Sequence, residues 1–187
     1  MAQTAANVNV AVTGAVYASE AGDTVTAPTT AVITLDTDLI DLGYIGEDGI
    51  TEQYEEDTTE IRAWQGGAVV RTMISSSAAR FSWQMIENKR EVVELYHKGS
   101  IMESDGATGY KIEIMTPTAD RRVFVLDVID GTDHVRIYIP DGEVTERGEI
   151  NYSSSSQIGY PVTVTAYPNS GVVAVKFSDK ASWAPAA

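Results

Sequence analysis

The sequence predicts a mainly β domain, a sandwich or barrel, with one flanking α-helix, an N-terminal arm and a long loop. Three observations carry this reading. Apolar and polar residues alternate over short runs, as in Phe81, Trp83 and Met85 against Arg80, Ser82 and Gln84. That is the period-two signature of a strand with one face in a core. Turn residues separate the runs, at Asp130-Gly131, Pro140-Asp141-Gly142 and Pro168-Asn169-Ser170-Gly171. Only one segment combines helical spacing with end signals. A length of 187 residues fits one domain, and a hydrophobic share of 43% is enough for one core.

Residues 1–30 are small and polar and read as an arm, with Val8, Val10, Val12 and Val16 in a weak strand pattern that calls for a pairing partner. Residues 31–187 form the domain. Ala31–Leu35 is a short apolar run. Residues 43–67 are polar, acidic and punctuated by glycine, so they read as a long loop ending at Trp64-Gln65-Gly66-Gly67. Loops of that length in compact domains are usually functional or disordered, and apolar anchors favour an ordered loop that docks on a partner. Ile50 and Trp64 are its apolar anchors, and with Tyr54 they are the candidates for contact with another subunit.

Ala68–Ile74 and Ala79–Ile86 read as strands, with Ser75-Ser76-Ser77 as a loop between them. The helix is expected over 88–98. Asn88 and Glu91 match a capping box, Val92, Val93 and Tyr96 follow at helical spacing, and Gly99 closes it. Tyr110–Met115, Arg121–Ile129, Val135–Ile139, Glu143–Ser153, Val162–Tyr167 and Val172–Phe177 complete the strands, and Pro140-Asp141-Gly142 is expected as a turn.

Charge narrows the function. Net charge is −14, and the first 61 residues hold twelve acids and no Lys or Arg. The remaining residues are nearly balanced, with fifteen acids and thirteen bases. No basic patch is available to grip nucleic-acid phosphate, so specific binding to nucleic acid is not expected. There is no cysteine and there are two histidines, His97 and His134, far apart in sequence. Thiolate chemistry is excluded, and multi-histidine zinc sites or a histidine triad are not expected. No apolar run is long enough to span a bilayer, and the N-terminus lacks the pattern of a signal peptide.

The individual motifs favour structure over chemistry. The acids of Glu47–Glu60 fit no EF-hand spacing and read as a solvated or partner-facing run. The serine runs at 75–77 and 153–156 lack a nucleophile-elbow context. His97 suits a helix C-terminus, and His134 lies between strands. No catalytic, cofactor or metal residue is assigned. Trp64, Trp83 and Trp183 are expected in core or interface packing.

Five blocks, taken in order, resemble a known family. Leu42-Gly43-Tyr44-Ile45-Gly46-Glu47-Asp48-Gly49-Ile50-Thr51-Glu52, Glu60–Gly66 with Val70-Arg71, the helix from Asn88 to Tyr96, Pro140–Gly148 and Ile158–Pro168 are similar to stretches of major tail proteins, the tail tube proteins of long non-contractile-tailed phages infecting actinobacteria. The blocks cover about residues 40–180, and the arm before residue 31 matches no motif.

The resemblance implies a tail-tube fold, two packed β-sheets with a helix on the flank, and a structural role in the virion tail with no enzymatic activity. It implies hexameric rings stacked into a tube through which DNA passes unbound. The tape measure protein, the tail terminator and distal tail proteins are the expected partners. One face of an inner sheet would line the channel. The alternating strands offer Arg80, Ser82, Gln84, Lys111, Glu113, Thr163 and Thr165 as lumen-facing candidates. A net negative lumen is expected, with turn acids such as Asp105, Asp120, Asp130 or Asp141 contributing. The alternative from the residues alone is a β-sandwich adhesin or carbohydrate-binding module using its tryptophans as stacking platforms.

Overall fold

The alternating runs pair into one antiparallel sheet that folds over on itself in the computed structural model, which describes residues 4–106 and 108–184. The strands are β1 (Thr13–Ala18), β2 (Ile40–Asp41), β3 (Ile45–Arg62), β4 (Val69–Met85), β5 (Met102–Ser104), β6 (Tyr110–Ile112), β7 (Arg121–Asp130), β8 (Asp133–Arg147), β9 (Tyr160–Ala166) and β10 (Val175–Ser178). The helix α1 (Arg90–Tyr96) follows β4. Sheet order is β2-β1-β7-β8-β9-β4-β3, with β10 also on β8 and β5–β6 as a separate ribbon.

β8 is where the sheet turns. Its first part pairs with β7 and β10, and its second part pairs with β9. Between the two, Pro140 and Asp141 face a single β7 residue across a register shift. The expected turn at Pro140-Asp141-Gly142 is therefore a bulge inside one continuous strand. Proline has no N–H to give a ladder, so a bulge accepts it as readily as a turn does. Gly142 is needed there, because a Cβ would lie 2.8 Å from the Phe124 ring.

The fold-over leaves two layers, β2-β1-β7-β8-β10 and β8-β9-β4-β3, with the main core between them. Val16, Phe81, Met85, Phe124, Leu126, Ile139 and Val164 are fully buried in it, and the rings of Trp83 and Phe124 meet edge to face. On the open side, Lys176 of β10 reaches Glu52 of β3 at 2.6 Å. A smaller cluster of Leu39, Val123 and Val125, with Tyr17, Val25, Leu35 and Tyr138, lies apart from this core. Arg136, 7% exposed, ties the segment beside it down by donating to the Ile33 carbonyl at 2.6 Å.

The largest departure from expectation is residues 43–67. They are not a loop: β3 runs through almost all of them and pairs with β4 from Ile45 to Arg62. The pattern fails because much of this strand is wet on both faces, which leaves no hydrophobic alternation to read. Backbone pairing holds it regardless of side-chain charge. The turn itself is short: Ala63 and Ala68 close it at 2.7 Å, with Gly66 and Gly67 at φ 77° and 69°. The expected serine loop is also strand. β4 is continuous, and Ser75 sits at a bulge with its hydroxyl donating to the Asp57 carbonyl at 3.0 Å.

Three smaller corrections follow. α1 begins at Arg90, and no side chain caps it, because the Asn88 amide oxygen instead accepts the Tyr160 hydroxyl at 2.9 Å. Gly99 does take the left-handed conformation beyond the helix end, φ 82°. The arm is not separate from residue 13 onward, since β1 pairs with β7 and buries Val16 and Ala18. Its first three residues lie outside the described ones. The runs expected at Tyr110–Met115 and Glu143–Ser153 end early, at Ile112 and Arg147.

Candidate assembly surfaces

β9 supports β4 only from Ala79 to Met85. Beyond Ala79 the β3–β4 pair continues to Arg62 and Val69 with no third strand among the described residues. Ten residues of β4, at about 3.3 Å each, carry this ribbon roughly 33 Å past the body. It is exposed along β3 from Glu55 to Arg62 and along β4 from Val69 to Ser77. A two-stranded ribbon of this kind is marginal in water by itself. Small clasps tie its two strands: Ser76 donates to the Asp57 carboxylate at 2.8 Å and Ser75 to the Asp57 carbonyl at 3.0 Å.

The ribbon also carries apolar side chains that nothing covers: Ile61, Val69, Val70, Met73 and Ile74, with Trp64 at the tip 97% exposed. Apolar surface gathered on a projecting element marks a contact site. The sequence reading singled out Trp64 but missed the other five, because a strand run such as Ala68–Ile74 reads as core unless it is known that no layer covers it.

The other two interface candidates behave differently. Ile50 pairs with Trp83 and packs on the protein's own core. Tyr54 is exposed on β3, and its hydroxyl donates to Glu52, with the Lys176 ammonium 6.0 Å from its ring. Burial and then the Glu52 carboxylate push its phenol up to about 12.

The lumen candidates divide into two groups. Arg80, Ser82 and Gln84 of β4 lie opposite Thr165, Thr163 and Pro161 of β9, so five of the seven share one face of one sheet. The face is knit by hydroxyls: Ser82 and Thr163 are 3.0 Å apart, and Thr145 and Thr165 are 2.7 Å apart. Its cation is neutralised, because Arg80 pairs with Glu55 at 2.8 Å. Lys111 and Glu113 are elsewhere, on and after the β5–β6 ribbon, and pair with each other at 2.9 Å. That hydrogen bond lowers the Glu113 carboxyl and raises the Lys111 ammonium.

The turn acids expected to add negative charge are engaged. Asp120 is buried against Arg122 at 2.8 Å, and Asp141 pairs with Arg121 at 3.0 Å. Asp130 accepts the Val10 N–H, and Asp105 accepts that of Gly109.

No group of three His, Cys, Asp or Glu side chains is arranged to hold a metal among the described residues. His134 faces Asp179 at 2.9 Å, at the tip of the β7–β8 hairpin. His97 packs on the Tyr96 ring, and burial followed by Arg147 lowers its pKa. No described helix is long and apolar enough to cross a membrane.

A profile described as "phage tail tube protein" matches residues 1–186. No curated protein matches the chain. Among solved structures, a chain from the "virion of native gene transfer agent (GTA) particle" matches with a TM-score of 0.41 at 9% identity, over 78% of this chain and 92% of that one. The profile match spans almost the whole sequence, so the chain belongs to the phage tail tube protein family. It is a non-enzymatic structural subunit of a tail tube and a component of the virion tail.

Proposed function

We propose that this tail tube subunit closes into hexameric rings, that the rings stack into a channel for DNA, and that the β3–β4 ribbon is the stacking contact. The observation that carries the reading is the ribbon: an exposed hairpin with five apolar side chains along it and Trp64 at its tip. A heterologous interface whose rotation closes makes a ring, and a second heterologous contact along the axis makes a filament. A projecting apolar element supplies the second contact. Aromatic anchors carry most of the energy in such interfaces.

The hydroxyl-rich face of Arg80, Ser82, Gln84, Thr163 and Thr165 lines the channel in this reading. With Arg80 neutralised by Glu55, the face is close to neutral rather than strongly negative. It offers no free cation among these residues for phosphate to displace counterions from, and DNA slides past it. Lys111 and Glu113, on a different element, lie outside the lumen. The sequence resemblance further supports a long non-contractile tail of a phage infecting actinobacteria, with the tape measure protein inside the tube and terminator and distal proteins at its ends.

Trp64→Ala tests the ribbon. The variant should keep the circular dichroism and melting of the parent, since Trp64 has no packing to lose, and should fail to sediment as tubes. Normal polymerisation would remove the ribbon from the stacking contact.

A further inference from the structure

Eleven of the thirteen Lys and Arg side chains pair with a carboxylate of their own chain. The two exceptions among the described residues are Arg71 and Arg147. Arg147 is occupied in another way, donating to the Tyr96 carbonyl at 3.3 Å with its guanidinium 6.0 Å from the Tyr96 ring. Arg71 has no such use. It sits exposed on the ribbon, directly across from Ile61, with Val69 and Met73 two positions away on either side. A chain at −14 thus places its one unengaged guanidinium among apolar side chains on its projecting element.

The opposite end of the same sheet has the complementary character. There β3 leaves its ladder between Ile45 and Ile50, and β8 ends at Arg147. This end presents Glu47, Asp48, Glu146 and Glu149, all exposed and none with a cationic partner among the described residues. Copies stacked head to tail bring the ribbon of one to this end of the next. Without a cation between them, two such acidic bodies repel.

We propose that Arg71 pairs with the carboxylates at the far strand ends of a second copy, Glu47, Asp48, Glu146 and Glu149, and that this pairing sets the register of stacking. The guanidinium fork suits carboxylates, and arginine is enriched where interfaces carry both charge and apolar contact. The inference rests on the ribbon being the stacking element.

The test is the assembly of full-length variants, with circular dichroism as the folding control and sedimentation as the readout. Arg71→Glu should raise the concentration needed for tubes by about tenfold or more. Arg71→Lys should raise it less, and Asp48→Arg with Glu146→Arg in the Arg71→Glu background should restore assembly. If Arg71→Glu assembles like the parent while Trp64→Ala does not, the ion pair is wrong and ribbon docking stands. If both assemble normally, both fall. If Arg71→Glu fails and no reversal of the four acids rescues it, the assigned partner is wrong.

Discussion

Arg136 grips Asp127 through two nitrogens at 2.7 Å each, one strand over on the β7–β8 pair. The same guanidinium donates to Ile33, so one buried cation links the sheet to the segment that crosses it. Burying a charge is tolerated only when it is paired and hydrogen-bonded, and here both conditions are met.

Arg136→Ala should therefore be costly. Removing one partner leaves Asp127, whose side chain is 14% exposed, without its cation, which costs up to the roughly 3–5 kcal/mol of a broken buried pair. Denaturant unfolding would measure the loss, and limited proteolysis should cut first near residues 31–35. A loss below about 1 kcal/mol, the range of a surface pair, would show the clasp to be dispensable.

Acid should weaken the domain partly through Glu143. A hydrogen bond from Lys98 holds its carboxyl below the ordinary value of 4.5, against a smaller opposing effect of burial. A depressed carboxyl contributes stability that is full above 4.5 and is lost as pH falls through the lowered value. Glu143→Gln should lower stability at pH 7 and flatten the decline below pH 4.5. An unchanged acid limb in the variant would remove Glu143 from the acid response.

The N-terminal segment divides at residue 13. Val8, Val10 and Val12 are exposed, whereas β1 buries Val16 and Ala18. Deletion through residue 12 should leave the fold intact, and deletion through residue 18 should abolish it. Protease should nick the free subunit before Thr13 and spare the assembled form, as expected of a segment covered on assembly. Equal cleavage in both states would leave the segment without an assembly role.

Cations placed on the hydroxyl face should hold DNA back. Thr163→Lys and Thr165→Lys should permit tube assembly while slowing DNA release in a salt-dependent manner. Release at the parental rate would place this face outside the channel.

Where side chains alternate between core and solvent, the sequence was readable. Phe81-x-Trp83-x-Met85 and Val162-x-Val164-x-Ala166 are buried as their spacing predicts. The ribbon was not readable, because Glu55, Glu56, Asp57, Thr58 and Thr59 are held by cross-strand backbone pairing that leaves no mark on polarity. Pro140 and Ser75 misled for a related reason: residues that end strands also form bulges within them. Five lumen candidates share a face because β4 and β9 are neighbours. Lys111 and Glu113 alternate equally well in sequence, but Lys111 belongs to another sheet and Glu113 lies just past its end, which strand pattern alone does not reveal.

Electron micrographs of the concentrated purified protein bear most directly on the account. Stacked rings forming a hollow tube, six-fold in end view, are the predicted result. A preparation that stays as single subunits at every concentration, or that forms solid aggregates without rings, would contradict it.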